Sequence, residues 1–309
     1  VTRVSGSAAT DSDQSNAVEE LTQRMIQRPQ SVYRVLFYVA TGFFLLVSLF
    51  PLYWLLVLSV TSLGELAGGP ALVPTDLDPG AYLGLFRAIP FHLYVFNSLV
   101  VAALSTVVVL VVGSLGGYVF GRYEFPGRTP LMLGVLMISY FPPATFVIPL
   151  FRLFTANVPL LGLGTDYPQL YNTPGAVVLP LSALLMPLAI FLLATFFEQI
   201  PDGLEDAARI EGSTRLGALY RVIAPLSAPG VATAGILTFI VVYNEFFFSY
   251  LMLRSDPREW GVLLHGMFRA GGVSGMAAAS IVGVVPMAAL VALAQDKIVS
   301  GLTRGALKE

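Results

Sequence analysis

Apolar residues run along the chain in six long blocks separated by shorter polar segments. A helix needs about 20 mostly apolar residues to cross the hydrocarbon core of a bilayer, because each residue advances it by only about 1.5 Å. The blocks predict six transmembrane helices over residues 35–60, 95–120, 131–153, 175–197, 231–253 and 276–294. Apart from Arg152 at the edge of the third, none of their bodies carries Lys or Arg. The expected fold is therefore all-α and integral to the membrane, with a spanning domain over residues 35–295. Residues 1–34 read as a polar tail, with a disordered stretch rich in Ser, Thr, Asp and Asn at 5–16. Residues 296–309 read as a second polar tail. The first block is too long for the apolar core of a cleavable signal and is expected to be retained as a span.

Composition agrees with that pattern. The chain is 56% hydrophobic and 12% charged, with a mean hydropathy of +0.77. Soluble domains carry about 25% charged residues. A net charge of −2 offers no basic footprint, which excludes nucleic acid as a partner. With no cysteine, and with His92 far from His265 in sequence, no metal site is expected. Twelve of the 17 Lys and Arg residues fall on one side of the predicted spans and five on the other. The positive-inside rule then places both termini in the cytoplasm.

The cytoplasmic segment at residues 198–230 is too organised to be a linker. Pro201 and Asp202 open a helix, and Asp202 and Glu205 have capping-box spacing. Gly212 permits a left-handed turn that ends it. Ser213 or Thr214 caps a second helix that runs to Val222 and is stopped by Pro225. A helix–glycine–helix element joined directly to two spans is shaped to transmit force or to dock a partner. The prolines inside the spans (Pro142, Pro143 and Pro149 in the third, Pro180 and Pro187 in the fourth) read either as packing kinks or as lining of a water-filled path.

These residues resemble the EAA loop of ABC importer permeases, whose pattern is E-A-A, three residues, G, nine residues, I-x-L-P. This chain has Asp206-Ala207-Ala208, then Gly212, then Val222-x-Ala224-Pro225. It departs in Asp206 for Glu, Val222 for Ile and Ala224 for Leu. Asn97-Ser98, the stretch from Gly121 to Arg128, and Tyr243-Asn244-Glu245-Phe246 are similar to further elements of that family. The ending from Ile298 to Lys308 resembles the smaller permease of maltose-type carbohydrate importers. The resemblance implies a type I ABC importer permease fold in a prokaryotic cell membrane, with the loop as coupling helix. It implies ATPase-coupling roles for Glu205, Asp206, Ala207, Ala208, Glu211, Gly212 and Pro225. It also implies ATPase contact by Gly301, Leu302, Gly305 and Lys308 of the tail. The implied partners are a second, homologous permease in a heterodimer, an ABC ATPase dimer, an extracytoplasmic solute-binding protein and the lipid bilayer.

Neither Lys297 nor Lys308 follows a phosphate-cradling glycine pattern, so the chain has no P-loop. It is expected to be no enzyme and to bind no cofactor itself, ATP and Mg being used by the partner ATPase. Expected action is alternating access for a sugar, with polyols or glycerol phosphate as alternative solutes. Glu245 is the one clear acid within the spans, too few for the ion-coupled sites of a secondary transporter, the rival class. Tyr140, Tyr243, Asn244 and Glu245 are candidates to line the solute path, each also readable as ordinary packing or an internal hydrogen bond. The segment 64–90 reads as a surface for the binding protein or a plain connector.

Overall fold

The computed structural model describes residues 29–69, 71–156 and 169–306, and among them the regular structure is helical apart from one isolated bridge between Thr61 and Leu77. The chain divides into two units, residues 1–57 and 58–309. In the first, the described part belongs to α1 (Pro29–Val60), an apolar helix on which Phe50 stacks against Trp54 with ring centroids 6.1 Å apart. The second unit begins with the last turn of α1. There Val60 O accepts from Asp78 N at 2.7 Å, and the Glu65 carboxylate of α2 (Leu63–Gly68) accepts from the backbone of Thr75 and Asp76. The segment predicted as a loop is thus folded on itself before α3 (Gly80–Ala88).

The centre of the second unit is the packing of α4 (Phe91–Arg122) on α7 (Gly175–Glu198). Gly113, Gly117 and Gly121 recur every fourth residue and so share one stripe of α4. A Cβ at Gly117 would lie 2.8 Å from Leu193 Cβ, and one at Gly121 would lie 2.8 Å from Ala194 O. Small residues at such spacing let two helices in lipid approach backbone to backbone. α10 (Ala228–Tyr243) packs on both, and α13 (Gly272–Ala306) packs on α10. At the start of α10 the absent side chain of Gly230 is filled by Phe196 of α7.

Among the described residues four helices are long and apolar enough to cross a membrane: α1, α4, α7 and α13. α9 (Arg215–Leu226) and α10 meet at 85° and would make a fifth only if the bent pair were counted as one span. The third predicted span is not one helix. It divides into α5 (Arg128–Ile138) and α6 (Ala144–Phe154). Pro142 and Pro143 lack N–H donors and disfavour helical geometry in the residue before them, so tight turns through Ser139, Tyr140 and Phe141 fill the gap. The fifth predicted span is also broken, α10 ending at Tyr243 and α11 starting afresh over Phe247–Met252. α13 runs on through residues expected to form a tail.

Candidate functional site

α8 (Asp202–Ile210) and α9 form the element foreseen between the fourth and fifth spans. The capping box does not form. Pro201 occupies the cap position, with ψ 135° and no side-chain bond, and Asp202 and Glu205 instead turn their carboxylates to one cation. Arg122, the last residue of α4, reaches Asp202 at 2.7 Å, Glu205 at 2.9 Å and Ile200 O at 2.6 Å. Its side chain is only 5% exposed. Tyr118, one turn earlier, donates its hydroxyl to the other Glu205 oxygen. A residue pair three apart on a helix shares a face, and here that face grips a buried guanidinium.

Further contacts extend the grip. Arg128 lies 3.4 Å from Glu198, while Arg215 donates to Tyr123 Oη at 2.8 Å and sits over its ring. These residues wall a polar cleft of about 480 Å³. Nothing in the sequence marked Arg122 or Tyr118 as partners of the loop; the available signal was an arginine ending an otherwise uncharged span.

α8 ends as predicted, on Gly212 at φ +91°, with Ser213 N bonding Ala208 O and Gly212 N bonding Arg209 O. Thr214, not Ser213, caps α9 by accepting from Gly217 N. Pro225 does not stop that helix. A wider turn over Leu219–Ile223, in which Ala224 N reaches Leu219 O, carries the chain on to Leu226. Of the motif residues, Ala208 faces inward, whereas Asp206, Ala207 and Glu211 are exposed. Leu204 and Ile210 add apolar surface beside them, Ile210 being 87% exposed.

A second feature is an apolar cavity of about 630 Å³ where the two broken spans meet α7. Phe141, Pro142, Leu181, Leu185 and Phe247 lie in its wall. Of the four path candidates, Glu245 alone lines it. Tyr243 is buried and donates to Gly283 O at 2.8 Å, Asn244 donates to Ile240 O, and Tyr140 is exposed outside that wall. Gly301, Leu302 and Gly305 lie on the final turns of α13, and Lys308 lies outside the described residues.

Asn97 and Ser98, whose role the sequence did not disclose, fasten the segment between α11 and α12 (Leu263–Arg269). The Asn97 amide donates to both Pro257 O and Gly261 O at 2.8 Å, and Ser98 Oγ accepts from Leu263 N. His265 Nδ1 accepts from Val262 N in the same turn, and burial pushes its pKa below the usual histidine value of 6.5. A depressed folded pKa means that the unfolded chain binds more protons below pH 6.5, so the stability present above that pH is lost as pH falls. Thermal unfolding between about pH 7.5 and pH 5 is expected to show this decline, and His265→Gln to flatten it.

The comparisons with known proteins agree with one another. Residues 113–303 match the family described as binding-protein-dependent transport system inner membrane component. The chain is 36% identical to the sulfoquinovosyl glycerol transport system permease protein SmoH of Agrobacterium fabrum, over 88% of this chain and 93% of that one. It is 33% identical to the trehalose transport system permease protein SugB of Mycobacterium tuberculosis, over 84% and 93%. A third relative is the trehalose/maltose transport system permease protein MalG of Thermococcus litoralis, 33% identical over 91% and 99%. In fold it resembles a chain of a bacterial ABC transporter that imports alginate, with a TM-score of 0.72, 20% identity and coverage of 88% and 98%.

Proposed function

The chain belongs to the inner membrane components of binding-protein-dependent transport systems, and from that premise we propose that it is one permease half of an ATP-driven sugar importer, with α8 and α9 as the seat of the ATPase. The single observation that carries this reading is the build of α8. Its inner face is locked to the end of α4 through Arg122, while its outer face offers Ile210, Leu204 and Ala207 to a partner. An amphipathic anchor lying on lipid favours a polar face rich in Lys and Arg. α8 has acids at 202, 205 and 206 and a single Arg209.

In this reading ATP and Mg belong to the ATPase pair, and a second permease completes the path. A binding protein delivers the solute on the other side, and both termini lie in the cytoplasm with α8. Closure of the ATPases moves α8, Arg122 hands the displacement to α4, and the spans alternate between two openings. Sugar is the solute class favoured by the trehalose, maltose and sulfoquinovosyl glycerol named for the relatives.

Cysteines introduced singly at Ile210, Ala207 and Ala208 test the docking face, since the chain has no others. Co-expressed ATPase is expected to cross-link to Ile210→Cys and Ala207→Cys but not to the inward Ala208→Cys. Ile210→Asp is expected to reduce ATP-dependent uptake in proteoliposomes by about tenfold or more, as loss of a central apolar anchor does at an interface. Uptake by the purified chain without any ATPase would end the reading.

A further inference from the structure

The break between α10 and α11 is not caused by Pro or Gly. Sharp interruptions of a helix arise at Pro, at Gly or where a side chain inserts into the hydrogen-bond ladder. Residues 236–252 contain neither Pro nor Gly. In an unbroken helix Phe248 N would bond the carbonyl of Asn244, and Ser249 N the carbonyl of Glu245. Both donors are taken by the Glu245 side chain instead: Oε1 accepts from Phe248 N at 2.6 Å, and Oε2 from Ser249 N at 3.1 Å. Ser249 Oγ adds a third bond, to Oε2 at 2.9 Å.

The position that normally supplies such an acceptor is the N-cap, just before a helix. Here it is Phe246, whose ring can accept nothing from the backbone and lies against Tyr250 and Phe268. Glu245, one residue earlier and one carbon longer than the usual Asp, does the work in its place. On the near side of the break, Tyr243 is held to Gly283 O. On the far side, Met252 O accepts from Asn172 N. The break is therefore held on both sides, and Phe247 and Phe248 beside Glu245 enter the cavity wall.

We propose that Glu245 is a positioning residue: its carboxylate replaces the backbone acceptors of residues 244 and 245, keeps α10 and α11 as two helices, and so sets the aromatic wall of the cavity. Three of the roughly four acceptor positions of a carboxylate are taken here by its own chain, so its first role is to hold the backbone. The proposal rests on reading this cavity as part of the solute path, but its structural half stands apart from that reading.

The test uses the assembled importer in nanodiscs, with spin labels on cysteines introduced at the exposed Leu237 and Leu251. Without the carboxylate the two donors return to the backbone, and Glu245→Leu is expected to move the label distance toward the roughly 21 Å of an unbroken helix and to abolish solute uptake. Adding Phe246→Asp to Glu245→Leu puts a carboxylate at the N-cap, and is expected to return both distance and uptake toward the parent values. An unchanged distance in Glu245→Leu with uptake lost would overturn the proposal and make Glu245 a solute contact. So would failure of the double variant to recover the distance while Phe246→Asp alone retains it. A distance that moves and recovers while the parent importer carries no sugar would leave the cap standing and remove only the transport reading.

Discussion

Arg122→Leu is expected to uncouple the transporter: ATP hydrolysis by the assembled complex continues while solute uptake falls to background. The guanidinium is buried, and Glu205 beside it is only 12% exposed, so removing the cation leaves a carboxylate with Tyr118 alone for company. Breaking a buried pair by deleting one partner costs about 3–5 kcal/mol. The bond to Asp202 adds little to that figure, because Asp202 is 89% exposed and solvent screens it. The double variant Arg122→Leu/Glu205→Leu removes both charges, and such replacements are often neutral in stability. Its thermal unfolding is expected to return toward the parent value while uptake stays low, separating the fold from the transmission of force. Parallel ATPase and uptake assays in proteoliposomes, with melting curves for each variant, check all three expectations. Parent-like uptake in Arg122→Leu would show that α4 does not need this grip.

The largest effect on folding is expected at Gly121. A Cβ there meets a backbone oxygen, Ala194 O, at 2.8 Å, and also approaches Phe197 Cβ. A peptide group cannot turn away as a side chain can, so the two helices must separate. Overpacking of this kind costs about 1–3 kcal/mol for a small addition; Gly121→Ala is expected to fall in that range and Gly121→Leu to prevent recovery of folded protein. Gly134 on α5 has open space where its Cβ would be, and Gly134→Ala serves as the control with unchanged yield. Melting temperature and monodisperse yield in detergent are the measurements. Equal behaviour of Gly121→Ala and Gly134→Ala would deny the close approach of α4 and α7.

Much of this architecture was readable from the sequence, for reasons that individual residues make clear. A block such as 175–197 is so uniformly apolar that only one environment suits it, and α7 occupies Gly175–Glu198. Gly212 announced its turn because few other residues tolerate positive φ. The breaks were hidden, because hydropathy sums side chains and takes no account of where N–H groups find acceptors. Pro142 and Pro143 hinted at the first break, but Glu245 read as a path residue or as one side of an internal hydrogen bond, with nothing to say that the bond is to its own backbone. Asp202 and Glu205 fitted a cap by spacing alone, and no spacing rule could know that a cation 83 residues upstream of Glu205 competes for them. The motif likewise named Ala207 and Ala208 together, though only packing decides which looks outward.

The way Asn97 holds its neighbouring turn has an evolutionary reading. Peptide oxygens are present whatever side chain a residue bears, so an anchor that clasps Pro257 O and Gly261 O is indifferent to the letters displayed above it. Gly261 itself is constrained, since a Cβ would strike Ser255 O and Asp256 O. Arg258 and Glu259 lie exposed between the two clasped carbonyls. Neither side chain holds the clasped carbonyls, so those two positions can change while the mount beneath them stays as it is.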